Sequence, residues 1–133
     1  MQITGDGVVV DPEVHDGQLM SIAMSQDKTL TVCFQTASGS SVTLQFLDVV
    51  RLRADNFREG NIVFEVRTYT GGECPPDLVA RAFDYGEAET ARWLPAQLHT
   101  IVSEAWRLVV IDSSFGCDLV ALGRGALEIG LCD

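Results

Sequence analysis

Between residues 18 and 67, apolar side chains recur at every second position in successive short runs. Met20, Ile22 and Met24 alternate with Ser21 and Ser25, and Leu30, Val32 and Phe34 alternate with Thr29, Thr31 and Gln35. Val42, Leu44 and Phe46 follow, then Val50 and Leu52, then Ile62, Phe64 and Val66 set against Glu65 and Arg67. A period of two with one apolar face predicts half-buried strands, and it excludes a chain built mainly of helices. "SQDK" and "TASGSS" supply tight turns between neighbouring runs, so the expected arrangement is an antiparallel meander with one face covered. The residues expected on that face, beneath a helical layer, are Met20, Ile22, Leu30, Val32, Phe34, Leu44, Phe46, Phe64 and Val66.

The helical layer is expected between residues 76 and 105. After the turn-rich "TGGECPP", Leu78, Val79, Ala82 and Phe83 fall on one side of a short helix. Ala91, Leu94, Leu98, Ile101 and Ala105 then recur at helical spacing, with Glu87 and Glu89 where the helix dipole favours acids. Pro95 predicts a kink or a fresh start. Beyond the helix, Leu108 to Ile111 form an unbroken apolar run, which suits a central strand. Residues 117–131 fit either strand or helix. The expected fold is α+β, a mostly antiparallel sheet packed by helix on one face and completed by C-terminal strands.

The 133 residues suit one domain, 1–133, with 47% hydrophobic and 21% charged content of the soluble globular kind. A formal charge of −10 repels phosphate, so neither nucleic acid nor an anionic membrane is an expected partner; a protein with a basic surface is. Whether the chain forms a homodimer is left open. Its N-terminal stretch lacks Lys, Arg and a long apolar core, so a secretory leader is not expected. Cys33, Cys74, Cys117 and Cys132 are scattered, which predicts reduced cytoplasmic thiols and no zinc centre. No motif for a cofactor is present.

The candidate sites are sparse. Arg51, Arg53 and Arg58 crowd around "LRADNFREGN", with Arg67 nearby, in a chain with only nine Lys plus Arg. Arg51, Arg53 and Arg67 could hold a carboxylate or phosphate, given arginine's two-pronged donor geometry. The competing reading is a solvated turn between two paired strands, with Glu65 across from Arg51 and Arg53, Phe57 as an anchor and Gly60 at positive φ. Glu73, Asp77, Asp84, Glu87 and Glu89 form a candidate acidic docking surface, which would steer a basic partner. His15 beside Asp16 could serve acid–base chemistry, although neighbours on an extended strand point apart. Ser113, Ser114, Cys117 and His99 lack the surroundings of a catalytic triad.

"HDGQLMSIAM", "FLDVVRLRADNFREGNIVFEV" and "IDSSFGCDLVALG" resemble segments of small bacterial proteins of unknown function, some of toxin-immunity type. The resemblance implies a cytoplasmic, non-enzymatic binder and carries no catalytic residues with it. The expected function is therefore protein binding through an acidic surface. The alternative is a small enzyme or anionic-ligand-binding domain with a cleft near His15, Arg51 and Arg53.

Overall fold

In the computed structural model, which describes residues 1–132, the chain begins with β1 (Gln2–Ile3) and β2 (Val9–Asp11). There follow β3 (Gln18–Met24), β4 (Leu30–Gln35), β5 (Ser41–Phe46), β6 (Val49–Asp55) and β7 (Asn61–Thr70). A 3-10 turn (Gly71–Glu73), α1 (Pro76–Ala82) and α2 (Glu87–Ser103) come next. β8 (Arg107–Phe115), β9 (Asp118–Gly123) and β10 (Leu127–Leu131) complete the described order. The ambiguous 117–131 segment thus forms two strands and no helix.

β1 and β2 pair with each other, while the other strands form one antiparallel sheet in the order β10-β5-β4-β3-β7-β8-β9-β6. That sheet is open, yet it curls on itself for a specific reason. β5 runs into β6 across Leu47 and Asp48, and β9 runs into β10 across residues 124–126. These two bent segments pair with each other on both sides of the corner. Leu47 N–H donates to Ala126 O at 3.0 Å and Gly125 N–H to Leu47 O at 3.1 Å, carrying the ladder around the bend. A Cβ on Gly125 would stand 2.6 Å from the Leu47 carbonyl oxygen, so the corner needs glycine there.

The curl buries one face of the sheet against itself. Leu30, Phe34, Leu44, Phe46, Val109 and Leu119 belong to this inner cluster. The helices cover the opposite face of β8 and β9, where Val79, Leu94 and Ile101 pack on Leu108, Val110 and Leu122. The continuous apolar run at 108–111 is therefore explained: it is covered on both sides, by sheet and by helix. The α+β expectation holds, with helix on one face of part of the sheet. The meander's own apolar face is covered by sheet, however, not by helix.

Two residues expected in that face lie outside it. Met20 is 52% exposed and Phe64 49% exposed, while Leu19 and Val63 are buried in their place. The ladder register skips Met20 between Leu19 and Ser21, and skips Phe64 between Val63 and Glu65. Each skip is a β-bulge, which inserts one residue and reverses the alternation beyond it. Ile22 and Val66 stay on the inner side as expected.

α2 continues through Pro95 without a break. Ala91 and Pro95 are both exposed, so the carbonyl that proline cannot bond is open to hydration. Leu94 and Ile101 are buried as expected, but Ala91 is exposed, and Ala105 lies beyond the helix at φ +52°. No helix is long and apolar enough to cross a membrane among the described residues.

The hydroxyl of Thr68, in β7, is buried and has no hydrogen-bond partner among the described residues. Thr68→Val keeps the β-branch and removes that unmet group. It is expected to leave stability unchanged or raise it by up to about 1 kcal/mol. A chemical-denaturation midpoint lower than wild type by more than that equivalent would contradict the assignment.

Candidate functional site

Arg51, Arg53 and Arg67 do not converge. Arg67, Val110, Val120 and Arg53 form one row across four strands, so β8 and β9 stand between the two arginines. Arg53 and Arg67 are each engaged with nearby carboxylates. Arg53 Nε donates to Asp55 at 3.0 Å and its Nη1 to Asp84 at 2.7 Å. Arg81 Nη2 also donates to Asp55, at 3.1 Å. That bond, with Arg53 adding to it, holds the Asp55 carboxyl below the usual carboxylate range. Arg67 donates to Asp112 at 2.7 Å and to the Tyr69 hydroxyl at 2.7 Å. Arg51 rests its guanidinium 5.2 Å from the centre of the Phe83 ring. Donors already spent on carboxylates have less to offer an incoming anion.

The turn reading needs correcting as well. β6 pairs with β9 and β7 with β8, so β6 and β7 are not a hairpin. Glu65 consequently reaches Arg67, at 3.4 Å, rather than Arg51 or Arg53. Asn56, at φ +63°, supplies the left-handed residue; Gly60 is not among the positive-φ positions. Phe57 is 52% exposed and anchors nothing.

What holds the 56–60 segment is Asn61, a residue the sequence did not single out. It is 2% exposed and uses its whole amide. Its Oδ1 accepts from Arg58 N–H at 2.8 Å and Cys117 N–H at 3.1 Å. Its Nδ2 donates to Arg58 O at 2.6 Å and Leu19 O at 3.3 Å. The segment, β3 and the β8–β9 turn are thereby tied at one point. Gly116, at φ +90°, completes the fit, since a Cβ there would lie 2.5 Å from Asn61 Oδ1.

Several large apolar side chains are exposed around this tie. Ile62 pairs with Phe115 across the ladder, and Phe115 is 53% exposed. Arg58 sits 5.9 Å from the Phe115 ring centre. The two bulges turn Met20 and Phe64 outward on the neighbouring strands, and bulges commonly re-aim side chains near functional sites. Beside Phe64 is a mostly apolar recess of about 320 Å³, lined by Val8, Val10, Val14 and Phe64 together with Glu13, His15 and Glu65.

His15 adjoins the same patch. Its ring meets Phe64 edge-on at 5.6 Å, and its Nδ1 lies 2.6 Å from the Phe64 carbonyl oxygen. Asp16 has φ +62°, not an extended backbone, and this brings its carboxylate within 3.5 Å of His15 Nε2. The Phe64 carbonyl, with Asp16 second, pushes the imidazole pKa above its ordinary value. The pair predicted to point apart therefore does meet, but on an open surface and away from Arg51 and Arg53. Burial raises the Cys117 thiol, and lifts Cys74 to about 11, which disfavours the reactive thiolate.

The acidic candidates are spread along the helical third. Glu73 lies in the 3-10 turn, Asp77 in the first turn of α1, and Glu87 and Glu89 in the first turn of α2. Asp84 is taken by Arg53. Among the described residues no group of acids, histidines or cysteines has the arrangement of a metal site. The outward aromatics did leave a trace in the sequence: Leu19 and Ile22, like Val63 and Val66, are three apart, a spacing that a regular strand cannot place on one face. In comparisons with known proteins, the chain matches no family model, no curated protein and no solved structure.

Proposed function

We propose that this chain is a non-enzymatic protein-binding domain whose contact surface is the outer patch of Met20, Ile62, Phe64 and Phe115. The observation that carries the proposal is the exposure of these large apolar side chains on adjoining strands, with two bulges turning Met20 and Phe64 outward. Large apolar side chains exposed on neighbouring strands mark a contact site, and aromatic anchors supply most of the energy in such contacts. The recess beside Phe64 has room for one apolar side chain of a partner. Glu13 and Glu65 line the recess and Asp16 lies beside His15, in a chain of net charge −10, so the partner is a protein with an apolar knob flanked by basic residues. The segments that resemble toxin-immunity-type proteins are also those that build this patch, and inhibition of a basic protein is the form of binding they favour. A reducing cytoplasm suits the four unpaired cysteines.

The test is capture of the partner from the native host, identification by mass spectrometry, and calorimetric titration of the purified pair. Phe64→Ala and Phe115→Ala should each weaken binding by at least about tenfold, as buried anchors do. The double variant Glu87→Ala, Glu89→Ala should change it by less than that. Unchanged affinity in both phenylalanine variants would overturn the proposal.

A further inference from the structure

The two edges of the sheet are treated differently. Edge strand β6 carries Arg51 and Arg53 and is buttressed by α1 through Arg81–Asp55 at 3.1 Å and by the turn after it through Arg53–Asp84 at 2.7 Å. Charged side chains and a covering helix are the usual guards of an exposed edge. Edge strand β10 has no covering helix among the described residues, and its one charged side chain is Glu128. Its sequence, "LEIGL", contains no Lys, Arg or Pro, and its ladder with β5 runs from Leu127↔Phe46 to Leu131↔Val42 without a bulge. Ala126 O accepts from Leu47 N–H and Cys132 N–H donates to Ser41 O, so residues 126 and 132 bond toward β5. Bonding direction alternates along a strand, so Glu128 and Gly130 also face β5. The N–H and C=O groups of Leu127, Ile129 and Leu131 then face the open side, where no strand pairs with them among the described residues.

We propose that a second copy of this chain fills that edge, β10 against β10 in antiparallel register about a two-fold axis at Ile129. The order of side chains selects a second copy over an arbitrary peptide. About Ile129, Leu127 meets Leu131 of the other copy, and Ile129 meets its own equivalent. Glu128 meets Gly130, so the only charged residue of the strand never faces another acid. Each of these apolar pairs exchanges both backbone hydrogen bonds, as the bonded pairs of an antiparallel ladder do. Leu131, 66% exposed, becomes covered. The net charge of −10 on each copy opposes association, so the dimer should strengthen with salt.

Sedimentation velocity over a wide concentration range tests the pairing. Wild type should shift from monomer toward dimer with rising concentration, more so at higher salt. Gly130→Lys sets a cation opposite Glu128 of the other copy and should tighten the dimer by about three- to thirtyfold, since two such pairs form. A Cβ at Gly130 meets nothing within 4 Å, so the fold accommodates it. Gly130→Glu should weaken the dimer. Leu131→Pro removes an outward N–H that β5 does not use; it should abolish the dimer while circular dichroism stays native. A wild type that stays monomeric throughout would overturn the inference. So would a dimer that Gly130→Lys and Leu131→Pro leave unmoved, which would place the contact elsewhere.

Discussion

Asn61→Ala is expected to lower stability by about 3 to 5 kcal/mol, a large share of the roughly 5 to 15 typical of a domain. An asparagine side chain offers two donor hydrogens and one carbonyl oxygen, and Asn61 commits all of them to backbone groups of three separate segments. Truncation removes these bonds together. It also leaves the buried Cys117 N–H and the Leu19 carbonyl without this partner, and an unmet buried group costs about 1 to 3 kcal/mol. Part of the loss at Arg58 is offset, because that residue is exposed and water can replace the side chain. Asn61→Asp keeps the shape but turns two donors into acceptors aimed at carbonyl oxygens, so it should be at least as damaging. Gly60→Val, one residue away, should cost under about 1 kcal/mol, because Gly60 lacks a positive φ and has open space at its Cβ. Urea denaturation of the three variants checks the contrast. A loss below about 1 kcal/mol for Asn61→Ala would show that the tie does not hold the segment.

Phe46→Ala and Phe64→Ala should differ just as sharply. Phe46 is 0% exposed at the corner of the curled sheet, and its ring reaches Gly123, where a Cβ would stand 2.8 Å from Cζ. Deleting that ring forfeits its transfer energy and opens a cavity in a tightly packed corner, for about 3 to 5 kcal/mol. Phe64, half exposed on its bulge, should cost less than about 1.5 kcal/mol. Melting temperatures of the two variants give the answer. Comparable losses would return Phe64 to the core and remove the patch.

The strands of the first half and the helical layer were legible because burial imposes periods of two and about 3.6 on the side chains. The β3–β4 and β4–β5 hairpins were legible from their turns, but the partners of β6 and β7 were not. A hairpin is the default between successive runs such as 49–55 and 61–70, yet β8 and β9 come between them, and nothing local to either run records so distant a pairing. The bulges at Met20 and Phe64 left only the three-residue spacing of Leu19 to Ile22 and Val63 to Val66 as a trace. One inserted residue changes no composition, and methionine or phenylalanine reads as core whichever way it points. The arginines were visible as a charge cluster, but their carboxylate partners, Asp84 for Arg53 and Asp112 for Arg67, come from 31 and 45 residues further along the chain. Asn61 was passed over because a buried amide hub looks, in sequence, like any turn asparagine.

Amide hydrogen exchange of the chain, alone and bound to its captured partner, tests most directly whether the outer aromatic patch is the contact surface. Protection on binding is expected in residues 56–64 and 113–117, with residues 84–92 unchanged. Protection confined to residues 84–92, with none across Ile62, Phe64 and Phe115, would contradict the proposal and assign binding to the acidic helical face.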